Sequence, residues 1–291
     1  MPLVRLSLYT SLAMLAFAGN SLLCREALAG GSIDAASFTI VRLASGAVTL
    51  AVLVMARQRT ASLGGTWRSA LALFVYAAGF SFAYLSLTAA TGALLLFGAV
   101  QATMIGYGFW TGERFTARQT VGAVLALCGL VGLLLPGFQA PPLLGAVLML
   151  AAGVAWGVYS LRGRGSGDPT QETTGNFVRA VPLAVVLSVV FWQDAAVGPV
   201  GLALAVASGA LASGMGYAVW YAVVPHLTAG TAATVQLTVP ILAAVGGVAL
   251  LGEAITVRLL VTSVAILGGV GLFLAGKRTA HSTPDVAPAD G

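Results

Sequence analysis

Ten runs of about 20 predominantly apolar residues follow one another along this chain, separated by short breaks that are polar or rich in glycine and proline. They lie at roughly 6–24, 35–56, 67–87, 90–111, 117–135, 141–161, 174–192, 198–221, 228–251 and 256–276. A helix of that length crosses a bilayer, because each residue adds about 1.5 Å and the hydrocarbon core is about 30 Å thick. Composition leaves no other use for these runs. Only 8% of the 291 residues are charged and 58% are hydrophobic, whereas about a quarter of a soluble domain is charged. Ten spans take about 200 residues and leave about 91 for tails and loops, too few for an ordinary soluble domain. The chain reads as an all-α integral membrane protein of ten transmembrane helices.

Other classes fall on the same pattern. An outer-membrane barrel is built from alternating segments of about ten residues, not long continuous runs. The net charge of +5 does not point to nucleic acid, since the basic residues stand singly or in pairs and never gather into a patch. Cys24 and Cys128 lie far apart in apolar runs, and with His226 and His281 they offer neither a zinc-ligand spacing nor a disulfide framework. No metal and no cofactor are expected. The first run continues from Arg5 to about Leu23 with no small-residue cleavage site after it, so it reads as a retained span, not a signal peptide. Residues 277–291 are rich in Ala, Pro, Asp, Ser and Thr and read as a disordered tail.

Charge placement orients the spans. With ten of them the termini share one side, and Arg5, Arg57, Arg59, Arg68, Arg114, Arg118, Arg162, Arg164, Lys277 and Arg278 all fall there, ten of the fourteen basic residues. Arg25 and Arg258 fall opposite, and Arg42 and Arg179 lie within runs. The bias over short loops places both termini in the cytoplasm.

The chain also resembles itself at an offset of 140 residues, with 14 identities over residues 87–133. Leu87–Thr88–Ala89–x–Thr91–x–Ala93 matches Leu227–Thr228–Ala229–x–Thr231–x–Ala233, and Gly112–Glu113–x–x–Thr116–x–Arg118 matches Gly252–Glu253–x–x–Thr256–x–Arg258. Val41–Arg42 pairs more weakly with Val178–Arg179. Each half holds five spans, an odd number, so the second half must enter the membrane inverted. The expected organisation is a first five-helix repeat over 1–138, a second over 139–276 and a cytoplasmic tail over 277–291. Secondary transporters are often built this way, with the substrate site near the midplane between the halves.

These residues carry a family resemblance. The two LeuThrAla segments, the two GlyGlu–x–x–Thr turns, a glycine-spaced last helix, Ala18–Gly19–Asn20 and Val41–Arg42 resemble the EamA-type members of the drug/metabolite transporter superfamily, over about residues 6–276. The resemblance implies an exporter of small metabolites whose central cavity is lined mainly by spans 1, 3, 4, 6, 8 and 9. Pro240 departs from the pattern, because its repeat partner is Val100 where such proteins often carry a proline in both halves. The aromatic residues of the implied cavity are most similar to the YddG-like amino-acid exporters.

Tyr76, Phe80 and Tyr84 are spaced four apart and form one stripe on span 3. Tyr217 and Tyr221, with Trp220 beside them, do the same on span 8, where Trp220 aligns with Phe80 through the repeat. Trp156 and Tyr159 on span 6 and Phe17 on span 1 complete the aromatic set. The competing reading is core packing, and Trp67, Trp110 and Trp192 near span ends fit an interfacial belt. Asn20, Gln101 and Gln236 are amides set within spans, where polar groups face the bundle interior. They serve equally well as helix–helix contacts or as ligand contacts. Arg42 and Arg179 read first as snorkelling to an interface. Glu113 and Glu253 read as satisfying backbone donors near Thr116 and Thr256.

No acidic residue falls in the middle of a run, so a proton relay has no obvious member, and a facilitator driven by the substrate gradient fits. A phosphate-bearing substrate would want basic residues in the cavity, so an uncharged or zwitterionic one fits better. The sequence thus reads as a secondary exporter of amino acids, including aromatic or bulky ones, or of similar metabolites. Its setting is the cytoplasmic (inner) membrane, its partners are a small molecule and the lipid bilayer, and it is expected to act as a monomer. A multidrug exporter of the same fold is the nearest alternative. An intramembrane enzyme is disfavoured because no G-x-S-x-G motif accompanies His226, and a channel because no repeated filter sequence is present.

Overall fold

The computed structural model describes residues 1–58, 64–137, 139–163, 168–227, 232 and 235–280. Arg59, Arg164, Thr234, His281, the second LeuThrAla segment beyond Leu227 and the tail from 281 onward lie outside the described residues.

Within them the protein is all helical. The helices are α1 (Leu3–Ala29), α2 (Ala35–Gln58), α3 (Trp67–Tyr84), α4 (Ala89–Trp110), α5 (Ala117–Leu134), α6 (Leu143–Arg162) and α7 (Pro169–Val190). They continue as α8 (Pro199–His226), α9 (Thr238–Leu251) and α10 (Val257–Ala280). Eight of the ten are long and apolar enough to cross a membrane. The other two are α9, with 14 residues, and α3, with 18 residues that include Arg68, Tyr76 and Tyr84. Among the described residues the extended structure is a single bridge between Ile33 and Val197. Outward-facing positions carry large apolar side chains such as Val4, Leu250 and Val264, which are exposed and suited to lipid. Trp67, Trp110 and Trp192 are exposed at helix ends.

Local sequence sets the ends of these helices. Thr66, Thr88, Thr116 and Thr256 each accept a hydrogen bond from the backbone N–H three residues on, and Thr116 forms a full capping box with Gln119. Asp168 caps α7 and Pro169 takes its first position. The helix therefore starts five residues before the apolar run at 174, and Thr170, Gln171 and Glu172 form a polar first turn. Gly112 and Gly252, the glycines of the two GlyGlu turns, have φ of 87° and 64°, a left-handed backbone that favours glycine. The chain turns at Leu237 before α9 restarts, with Pro240 in its first turn. Pro240 has no N–H to give the Gln236 carbonyl, which accounts for the break. At the other end, α10 extends to Ala280, into the first residues of the segment read as tail.

The packing has a regular pattern. α5 lies on α10, α2 on α7 and α4 on α9. α6 packs against both α3 and α4, and α1 packs in the same way against α8 and α9. Contacts that involve the breaks or the nearby helix turns fall into two groups. At one end, Arg162 donates to Ser69 Oγ, Arg179 donates to the Gly64 carbonyl and Thr66 N–H donates to Asn176 Oδ1. At the other end, Arg25 pairs with Glu253, Ala196 N–H donates to Asp34 and Arg258 donates to the Leu135 carbonyl.

α8 is not uniform. Its middle, Ser208–Met215, is wound as a π-helix. Residues five apart sit about 140° from each other on an α-helix, but the wider i→i+5 turn stacks them. Ser208 and Ser213 are thereby presented to the same neighbourhood. This segment packs against α2 so closely that a Cβ on Gly209 would collide with Ser45 Oγ and the Arg42 carbonyl.

Candidate functional site

A cavity of about 420 Å³ lies between the helices. Its wall draws on α1, α3, α4, α6, α7 and α8 and on Ala232 and Gln236 ahead of α9. It extends from mid-depth toward the helix ends at Ser69, Gly163, Pro169 and Val224. The resemblance implied spans 1, 3, 4, 6, 8 and 9, so α7 is an addition. Its contribution is Pro169, Glu172, Thr173 and Asn176. These positions are spaced three, four and seven apart, a helical stripe legible in the sequence once the polar first turn is placed in α7 and not in a loop.

Eleven of the twelve residues singled out from the sequence are on the wall: Phe17, Asn20, Tyr76, Phe80, Gln101, Trp156, Tyr159, Tyr217, Trp220, Tyr221 and Gln236. Trp156 is the hub of the aromatic set. Its ring centroid is 4.7 Å from that of Tyr76, and it stacks on Tyr159 and Tyr217 at 5.3 Å each. Phe17 leans on Tyr217 and Trp220 at 5.7 and 6.0 Å. Such offset and tilted pairs leave apolar faces and hydroxyl edges toward an enclosed space.

Tyr84 does not reach the cavity. It is the last residue of α3 and is fully buried, with its hydroxyl donating to the Ala89 carbonyl. The stripe that begins at Tyr76 descends about 12 Å over eight residues, which carries Tyr84 past the cavity floor. Its ring fills the space over Gly92, where a Cβ would collide with it.

Two polar clusters edge the cavity. In the first, Ser208 Oγ donates to Asn20 Oδ1 at 2.6 Å and Asn20 Nδ2 donates to the Tyr76 hydroxyl at 3.4 Å. Arg42 Nη2 donates to the same hydroxyl at 2.8 Å, and its Nε donates to Ser213 Oγ at 3.4 Å. In the second, Tyr159 donates to Thr173 Oγ1 at 3.3 Å, and Thr173 donates to the Tyr221 hydroxyl at 3.1 Å. Asn176 Nδ2 closes that cluster on the Tyr159 hydroxyl at 3.4 Å.

The two intramembrane arginines behave differently. Arg179 snorkels, reaching the Gly64 carbonyl. Arg42 does not, because it turns inward and is 1% exposed. Glu253 also departs from expectation. Instead of serving the helix that follows it, its Oε2 accepts from Ala89 N–H at the start of α4, at 2.8 Å, while Oε1 pairs with Arg25 at 3.0 Å. Arg25 Nη1 further donates to the Tyr84 carbonyl at 3.0 Å. This staple ties α1, α3, α4 and the break before α10 together at the end away from the cavity's extension.

Outside the spans, Asp34 holds the break between α1 and α2 to that between α7 and α8. Partial burial opposes its charge, but hydrogen bonds from Ser37, Ala196 and Ala36 outweigh that and hold its carboxyl below the usual range.

A cavity of small-molecule size among helices most of which are long and apolar enough to cross a membrane defines the class: a multi-pass membrane protein with a central cavity. Residues 143–275 match the EamA-like transporter family. A Pseudomonas aeruginosa relative named Uncharacterized protein PA1977 is 58% identical over 254 residues, 87% of this chain and 88% of its own. The threonine/homoserine exporters RhtA of Salmonella typhimurium and Escherichia coli are 33% and 32% identical over 151 residues, 48% of this chain and 50% of theirs. A protein known from its crystal structure, 20% identical, has the same fold, with a TM-score of 0.68 over 94% of this chain and 98% of its own. Residues 143–275, a little under half of the chain, thus carry an EamA-like transporter domain, and the chain as a whole is a close relative of the Pseudomonas aeruginosa protein.

Proposed function

We propose that the protein is a secondary carrier that exports amino acids or similar zwitterionic metabolites across the cytoplasmic membrane by alternating access. The observation that carries this reading is the cavity itself, which extends from mid-depth toward one end of the bundle while the Arg25–Glu253 staple occupies the other. In this reading the ten helices are two inverted five-helix repeats, 1–138 and 139–276, with both termini cytoplasmic and the monomer as the working unit. Support comes from the packing: α2–α7, α4–α9 and α5–α10 pair each helix with its repeat partner, and the contacts of α6 with α3 and α4 mirror those of α1 with α8 and α9. The two groups of contacts at breaks and nearby helix turns fit ten spans, with odd-numbered breaks at one end and even-numbered ones at the other. The cavity extends toward the even-numbered, cytoplasmic end, so the conformation is inward-open.

The relatives that share about half of this chain are threonine/homoserine exporters, while the wall is a cage of stacked rings. We favour amino acids with an aromatic or bulky side chain, because a ring or branched body fills such a cage. Counterflow in proteoliposomes tests both the class and the preference. Vesicles preloaded with phenylalanine, tryptophan, threonine or homoserine should accumulate the matching labelled amino acid, with the aromatic pair ahead. Absence of counterflow for all four would overturn the amino-acid reading.

A further inference from the structure

The guanidinium of Arg42 lies behind the cavity wall among spanning helices, and the residue is 1% exposed. A cation so placed is costly unless something of opposite charge meets it. Its neighbours compensate in part, with the Phe80 and Tyr76 rings 4.8 and 5.1 Å from the guanidinium carbon. Among the described residues no carboxylate pairs with it, and Nη1 has no hydrogen-bond partner.

Hydrogen-bond accounting on the wall points the same way. The Tyr76 oxygen accepts from both Arg42 and Asn20, which occupies its lone pairs and leaves its O–H to donate. Among the described residues that proton has no acceptor. Ser213 Oγ accepts from Arg42 Nε, and its O–H is likewise left to donate. Ser208 fixes the Asn20 oxygen, so that amide offers only N–H outward. Asn20, Tyr76 and Ser213 all line the cavity. One corner therefore presents donors alone, polarised by a buried cation behind them.

We infer that this corner is an anion subsite that takes the carboxylate of the transported molecule, an inference that rests on the export reading above. Two carboxylate oxygens can accept from the Tyr76, Ser213 and Asn20 donors at once, and the charge of Arg42 strengthens each bond. An ammonium group would meet only donors and a cation here. It is directed instead to the far side of the cavity, where Glu172 supplies the carboxylate on the wall. Arg42 thus acts through Tyr76 and Ser213 as a positioning residue.

The test uses the full-length protein in detergent and reads binding by tryptophan fluorescence and by the thermal unfolding midpoint. One probe trio is phenylalanine, 3-phenylpropionate (no ammonium) and phenethylamine (no carboxylate). A second, built on threonine, is threonine, 3-hydroxybutyrate and 1-aminopropan-2-ol. In at least one trio the two carboxylates should bind ten times or more tighter than the amine. Tyr76→Phe and Ser213→Ala, which keep the packing, should each erode that ratio while the affinity for the amine holds. A carboxylate preference in binding without amino-acid counterflow would retain the subsite and remove the export reading. Amino-acid counterflow with no acid-over-amine preference in either trio, or with a preference that Tyr76→Phe and Ser213→Ala leave intact, would overturn the subsite and leave the export reading standing. No binding in either trio would overturn the subsite, as would binding of chloride, added to a sulfate buffer, in place of the carboxylates.

Discussion

Tyr76, Phe80 and Tyr84 share one helical stripe, yet the stripe runs from the cavity wall into packed protein, and substitution separates the two environments. Tyr84→Ala removes a fully buried ring that covers Gly92 and should lower stability by about 3–5 kcal/mol, the usual cost of deleting a core aromatic. Thermal unfolding of the purified protein reads this directly. Trp156→Ala removes a partly exposed ring that stacks on two wall tyrosines. It should leave the protein abundant and folded while transport falls several-fold, since each aromatic contact contributes about 0.5–1.5 kcal/mol beyond burial. Equal loss of stability in both variants would return Trp156 to the core. Spacing by four told which residues share a face but not where along the helix the cavity stops, and Tyr84 was placed by the first and missed by the second. Arg42 was visible as a basic residue inside a run, but only the structure shows that it turns inward to Tyr76 rather than outward as Arg179 does.

Elements meet through groups that sequence presented as local. Glu253 sits in a turn whose pattern reads as a cap for the next helix, and Thr256 does cap α10. The Glu253 carboxylate instead serves the start of α4 and Arg25 on α1, contacts made across the fold that no local pattern encodes. If this staple holds the outer end shut, Glu253→Gln weakens the closed state by about 1.5–3 kcal/mol, the range for hydrogen bonds to charged groups. A cysteine placed at Leu87, which is buried at that end, in a protein with Cys24 and Cys128 replaced, should then react faster with an impermeant thiol reagent from outside; an unchanged rate would remove the gate role. Asp34 gives a pH signature at the same end. Its folded-state pKa is lowered, so its contribution is present above the ordinary carboxylate value and is lost as the pH falls through the lowered one. Asp34→Asn should therefore reduce the unfolding midpoint at pH 7, and the difference from the parent should shrink below about pH 4. A constant difference would assign the effect to packing. The π-wound middle of α8 had no signal in hydrophobic periodicity, because a wider turn leaves an apolar run apolar.

At the scale of the whole molecule, sparse charge and the lengths of the apolar runs made the all-helical membrane fold legible, and the repeated GlyGlu–x–x–Thr turns reappear as two left-handed glycines followed by two capping threonines. The participation of α7 in the wall was hidden, because its first turn is polar enough to read as a loop. The proposed topology predicts that a cysteine at Gly64 labels from the cytoplasm and one at Ala196 from outside; both labelling from one side would contradict ten spans. The central claim is that one mid-depth cavity is reached from each face in turn. Val100 lies on the cavity wall near the middle of α4, so Val100→Cys, in a protein with Cys24 and Cys128 replaced, samples it directly. In inside-out and right-side-out vesicles an impermeant thiol reagent should reach this cysteine from either face, fastest from the cytoplasmic face, and a transported amino acid should slow both reactions. Reaction from one face only, or equal rates from both that no amino acid changes, would contradict alternating access through this cavity.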